Sequence, residues 1–192
     1  MNHISLKNGQ AKLDGLQMDV GESAMDFYKK MGTVYPKFFK MDLLSKWAWL
    51  AAEALLKMPD RAWRFEGIDK TKIAVVLYTR DGCLEADKAF LESMKTIASP
   101  ALFVYTLPNI MLGEICIRHG FQGEQLCEVV EEWDVEEAAF YVKDLLEYRS
   151  MEACLFGFVD ATAAEQTVQL FWVEKSEANN LNTEKLRHMC DL

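Results

Sequence analysis

Two adjacent carboxylates, Glu131 and Glu132, stand between a β-like run, QLCEVV, and a helix-like run that opens at Asp134. Such a pair can do proton chemistry, and it can equally face the positive end of the following helix, which favours a nearby carboxylate by typically 0.3 to 1 kcal/mol. Cys127 lies five residues before Glu132. A nucleophilic thiolate needs a helix N-terminus or a cationic neighbour, and Glu128 supplies neither. Cys83, Cys116, Cys127, Cys154 and Cys190 are odd in number and form no C-x-x-C pair, as reduced thiols would be. His3, His119 and His188 are scattered, so the sequence offers no metal-ligand cluster. G-x-x-x-x-G-K and G-x-G-x-x-G are both absent, and no nucleotide or other cofactor of the chain's own is expected.

The elements that must position these residues alternate between strand and helix patterns. A short strand is read near His3 to Leu6, and residues 8 to 35 as loop with a turn or two of helix around Glu22 to Lys30. Asp42 is a plausible N-cap for a helix in which Leu43, Trp47, Leu50, Ala54 and Leu55 recur at helical spacing. The run from Lys72 to Thr79 has the composition of a strand buried on both faces of a parallel sheet. A helix over Leu84 to Ile97 follows, then an extended stretch over residues 101 to 106. Pro108 suits the first turn of a helix that runs to His119 and stops at Gly120. Asp134 with Glu137 predicts a capped helix ending near Ser150. Residues 153 to 161 and 167 to 175 read as antiparallel neighbouring strands, and a last helical turn is placed near Glu184 to Met189.

The 192 residues, 51% hydrophobic, suit one domain over residues 1–192, with residues 1–35 and the tail after 176 outside the assigned pattern. A net charge of −9 leaves no basic stripe for nucleic acid or for an anionic membrane surface. Neither a secretory h-region nor a bilayer-length apolar stretch is present, so a cytoplasmic location is expected.

Several stretches, in order, resemble the N-terminal half of a β-ketoacyl synthase of the thiolase superfamily. Pro108-Asn109, Gly113, Ile115, Ile117, Gly120 and Gly123 are similar to the family's P-N-x-x-x-G-x-I-x-I-x-x-G-x-x-G. KIAVVLYTRDGCLE resembles the G-V-V-x-G-T strand and turn, FFKMDLLSKWAWLAAEAL the helix after the R-M-D/S element, and SMEACLFGFVDA the D-x-M-L-A-G-G-x-E strand. The resemblance covers roughly residues 36 to 175. It implies a thiolase-like half-fold of α/β class, with a mixed, mostly parallel sheet of about five strands flanked by helices.

The resemblance also implies that the nucleophilic cysteine of T-A-C would fall at Glu132, with Val130 and Glu131 before it. The family's two catalytic histidines belong to a C-terminal half that these residues do not match, and His119, at a helix end where the family tolerates variety, reads as a charge interaction with the helix C-terminus rather than as an acid or base. A non-catalytic partner subunit in fatty acid, polyketide or aryl-polyene type biosynthesis is the leading expectation. It would form a homodimer, or a heterodimer with a full-length ketosynthase, and would meet an acyl carrier protein through Lys37, Lys40, Lys46 and Arg118. The rival is a small acyl-thioester decarboxylase or hydrolase using Glu132 or Cys127. Gly113, costly inside a helix, implies a close backbone approach, either to its own sheet or to a partner's helix. A lone half of the fold would expose an apolar helix face; Trp47, Trp49, Phe140 and Tyr141, on two helices, cannot all point at one sheet, so either some of them face a second copy or another protein or all belong to core and edge packing.

Overall fold

The computed structural model describes residues 1–190, apart from the side chains of Asn180, Lys185 and Cys190. Seven strands form one sheet: β1 (Asn2–Lys7), β2 (Gln10–Leu13), β3 (Leu16–Asp19), β4 (Ile73–Thr79), β5 (Gln125–Val129), β6 (Ala153–Ala161) and β7 (Gln166–Glu174). Their order is β3-β2-β1-β7-β6-β4-β5. The helices are α1 (Ala24–Met31), α2 (Leu43–Leu56), α3 (Leu84–Ser93), α4 (Pro100–Val104), α5 (Asn109–His119), α6 (Val135–Tyr148) and α7 (Thr183–Cys190).

The α/β class holds, while the expected strand count and mostly parallel pairing do not. Only β4 pairs in parallel, with β5 on one side and β6 on the other. The remaining pairings are antiparallel. The additional strands come from the segment read as loop. Asn8-Gly9 and Asp14-Gly15 each close a two-residue hairpin with all four φ angles positive, at 47°, 82°, 50° and 81°. That is the geometry in which Asn-Gly and Asp-Gly are favoured, because its twist matches that of the flanking strands. Residues 101 to 106 are also not extended: Pro100 opens α4, with the Ser99 hydroxyl accepting from the Leu102 N–H. α3 stops at Ser93, short of the expected Ile97.

β4 is buried along its whole length, and its alternation feeds two cores. Ile73, Val75 and Leu77 join the core under α1, α2 and α5, whereas Ala74, Val76 and Tyr78 join the core under α6 and α7. Beyond Lys46, α2 is apolar on every face except at Glu53 and is enclosed by its neighbours, with Asp42 accepting from the N–H groups of Leu44 and Ser45 at its start. Trp47 and Trp49, considered as partner-facing, therefore lie in the core at 2% and 0% exposure. Tyr141 packs against the second core, and Phe140 is exposed. The outer face of α6 also carries Glu136, Glu137 and Lys143, so the expected bare apolar helix face is not there. Exposed apolar side chains gather instead on and between α3 and α4: Leu91, Met94, Ile97, Phe103 and Val104.

Candidate functional site: the carboxyl ends of the parallel strands

Ligands of open α/β sheets bind beyond the carboxyl ends of parallel strands. Here that edge is built by the turn after β4, the segment after β5 and the end of β6. Asp160 fixes the first of these. Its buried Oδ1 accepts from the Thr79 hydroxyl at 2.8 Å and from the N–H groups of Arg80 and Asp81 at 2.9 and 3.0 Å. Oδ2 meets the Arg80 guanidinium at 3.3 Å, and the Gly82 N–H donates to the Thr79 hydroxyl. Gly157, in the middle of β6, sits at φ 151°, where a Cβ would stand 1.9 Å from the Gln169 carbonyl oxygen. β7 crosses there too closely for any side chain.

Val130 donates to the Thr79 carbonyl, so Glu131 and Glu132 emerge directly beyond this edge. Both are exposed, and neither makes a hydrogen bond or ion pair among the described residues. Trp133 turns inward, its ring 5.8 Å from Phe158 and 6.4 Å from Phe171. Asp134 accepts from the N–H groups of Glu136 and Glu137, and α6 begins. Cys127 lies within β5, opposite Leu77, and burial pushes its thiol up to about 11. Burial likewise raises Cys83 and Cys116 to about 12, and Cys154 further still. None of these thiols is an activated nucleophile.

The glycine-spaced helix leads to the opposite end of the sheet. Pro108 precedes α5, and Asn109, its first residue, is exposed. Gly120 ends α5 in the left-handed conformation with its N–H on the Cys116 carbonyl at 2.7 Å. Gly123 lies against the start of β4, where a Cβ would stand 2.4 Å from the Ile73 carbonyl oxygen. β4 spans roughly 20 Å at strand rise, so His119 at that end is out of reach of Glu132.

His119 is instead part of a buried cluster that sequence reasoning missed. Glu53, fully buried on α2, accepts from Arg118 Nε at 3.1 Å and from the other guanidinium arm at 2.7 Å, and from the Thr33 hydroxyl at 3.2 Å. The guanidinium also lies over Tyr35 and Trp49. His119 Nε2 stands 3.5 Å from the same carboxylate, with the ring among Trp63, Phe65 and Phe121. Burial pushes its pKa down to about 4. It is therefore neutral near pH 7, not the charged helix-terminal partner expected. The available signal was Glu53 itself, one carboxylate in a helix that is otherwise apolar beyond Lys46, which has to be paired.

Arg118 is thereby withdrawn from the anticipated basic patch. Lys37 pairs with Glu114 at 2.8 Å, whose other oxygen accepts from the Tyr105 hydroxyl at 3.1 Å. Lys46 lies 5.9 Å from the Phe38 ring centre, and Lys40 borders a cavity of about 660 Å3. That cavity separates the start of α2 from α3 and α4, and its walls include Met41, Leu43 and the small side chains Ala86, Ala89 and Ala101. Asp42 also faces it, and burial raises its carboxyl above the usual range. A second hollow, about 390 Å3, opens beside Gly113, Ile117 and Gln125. A Cβ on Gly113 would meet nothing within 4 Å, so this glycine makes no close approach among the described residues. Next to that hollow, β5 is an edge strand with one side unpaired.

The sequence matches no protein-family model and no curated protein. Solved structures do match its fold. The ishigamide ketosynthase/chain length factor superposes with a TM-score of 0.62 at 24% identity, over 72% of this chain and 45% of that one. A ketosynthase in complex with its chain length factor from Xenorhabdus doucetiae gives 0.53 at 15% identity, over 81% and 75%. A type II PKS acyl-carrier protein in complex with its ketosynthase bound to the hexaketide gives 0.61 at 12% identity, over 93% and 62%. The chain thus spans less than half the length of the first of these. Its fold is thiolase-like and related to that of ketosynthases and their chain length factors.

Proposed function

We propose that the chain is a single-domain, non-catalytic ketosynthase-like partner subunit in fatty acid, polyketide or aryl-polyene type biosynthesis, working in the cytoplasm. The observation that carries this reading is Glu132, which stands exposed and, among the described residues, unpartnered at the position where the resemblance places the nucleophile. The Cys127 thiol five residues earlier is held protonated by burial. A partner role is favoured by the open face of α5 at Gly113, the free edge of β5 and the exposed apolar side chains around α3 and α4. In the pairing we favour, the second subunit is a full-length ketosynthase, with an acyl carrier protein delivering to the pair. In that pairing the α3–α4 cavity supplies apolar room for an acyl chain. The decarboxylase or hydrolase alternative has no activated group to rest on.

The test is co-expression with ketosynthases encoded nearby, followed by size-exclusion chromatography with light scattering and a malonyl-carrier-protein turnover assay. A stoichiometric complex, and turnover unchanged by Glu132→Ala and Cys127→Ala, is expected. A chain that stays monomeric beside every ketosynthase and carrier protein offered, or turnover lost in either variant, overturns the reading.

A further inference from the structure

A separate hollow of about 390 Å3 lies between the β2–β3 hairpin and the carboxyl ends of α1 and α2. Its size falls within the range of small-molecule sites. Its apolar surface comes from Leu13, Leu16, Met18, Met31 and Met58. Leu16 is 75% exposed, and methionine supplies adaptable, polarizable surface to such sites. Three cations, Lys57, Arg61 and Arg64, border the same hollow.

Their commitments differ. Arg64 donates Nε–H to the Leu55 carbonyl at 2.6 Å and reaches Asp14 at 3.0 Å. Asp14, the lining carboxylate, also accepts from the His3 N–H and the Asn2 amide. Its charge is therefore paired with Arg64, and both of its oxygens already accept hydrogen bonds. The backbone N–H of Arg64 caps the Leu56 carbonyl, so two carbonyls of the negative end of α2 are already paired. Asp60, in the same turn, holds the Ala62 N–H. Lys57 and Arg61 make no hydrogen bond or ion pair through their side chains among the described residues. Arg61 moreover sits at φ 72°, a conformation uncommon for a side chain that is neither Gly, Asn nor Asp. The Met58 and Ala62 main chains close the turn that keeps it there, at 2.9 Å.

From two uncommitted cations beside an apolar floor, in a chain of net charge −9, we infer a binding site for a single-chain alkyl carboxylate, its head on Lys57 and Arg61 and its chain against the methionines. This site is distinct from the cavity under α3 and α4 and does not depend on the partner-subunit reading.

Isothermal titration of the full chain with decanoate at low salt tests it, with decanol as the uncharged comparison. Binding is expected to weaken at least tenfold for decanol, for the double variant Lys57→Gln/Arg61→Gly and for Leu16→Asp. Glycine tolerates the backbone at position 61, and Leu16 is on the surface, so these variants should keep the fold; circular dichroism checks this. Ala89→Leu, which narrows the other cavity, should leave decanoate binding unchanged. No binding, equal binding of decanol, undiminished binding by the double variant, or loss of binding in Ala89→Leu would each overturn the assignment.

Discussion

Glu53 shows how a single residue can hold two helices together. Its carboxylate is fully buried, and the bidentate Arg118 guanidinium is what makes that burial tolerable. Removing one partner leaves an uncompensated charge, so Arg118→Met should destabilise the chain by about 3 to 5 kcal/mol in urea unfolding. Replacing both, as Glu53→Leu/Arg118→Met, should recover much of that loss. His119 gives the same neighbourhood a pH dependence. Its pKa near 4 in the folded chain lies below the 6.5 of an exposed imidazole, so the unfolded state binds more protons between these values. Its contribution is therefore full above about pH 6.5 and is lost as pH falls towards 4. Asp42, raised by burial, acts in the opposite sense at low pH. The measurement that isolates the histidine is the difference in urea midpoint between the wild type and His119→Phe, followed from pH 7.5 to 4.5. That difference should shift in favour of the variant as the pH falls.

At the scale of elements, the three spaced glycines do different physical work. Gly123 approaches the main chain of β4, and Gly123→Ala should be severely destabilising, since backbone would have to move. Gly113 meets nothing, so Gly113→Ala should stabilise the isolated chain by up to about 1 kcal/mol through helix propensity. The same substitution should weaken any complex in which a partner main chain packs on α5. Opposite signs in thermal unfolding of the chain alone and in affinity for a ketosynthase would assign the glycine to the interface. The sequence made α2, α5 and α6 legible because Asp42, Gly120 and Asp134 mark their ends, and β4, β6 and β7 because their apolar runs are continuous. It concealed β2 and β3, four residues each, where the turn dipeptides Asn8-Gly9 and Asp14-Gly15 were the only strong signal. α4 was misread because apolar, β-branched composition does not register the Ser99 cap. That Glu131 and Glu132 lie between a strand and a capped helix was legible from the patterns on either side, whereas the Glu53–Arg118 pairing joins residues 65 apart and needs the packing of α2 on α5.

For the whole molecule, the sheet ends on β5 at one side, and α3 and α4 leave apolar side chains in water. An unpaired edge and an apolar patch are both liabilities in a protein that stays alone, and both serve where another subunit covers them. Ile97 is 85% exposed and Phe103 55% exposed, so replacing them disturbs little of the core. Ile97→Lys/Phe103→Lys should therefore leave the melting temperature of the isolated chain nearly unchanged while reducing its tendency to self-associate. If this patch belongs to the interface with a ketosynthase, the same variant should lose at least tenfold in affinity, read by analytical ultracentrifugation of the mixed proteins. Ile117→Asp beside the free edge of β5 supplies the second position, because Ile117 is 65% exposed on the same helix as Gly113. Weakened assembly in Ile117→Asp alone would confine the interface to α5 and β5. Weakened assembly in both variants would extend it over α3 and α4, bringing the partner to the mouth of the 660 Å3 cavity.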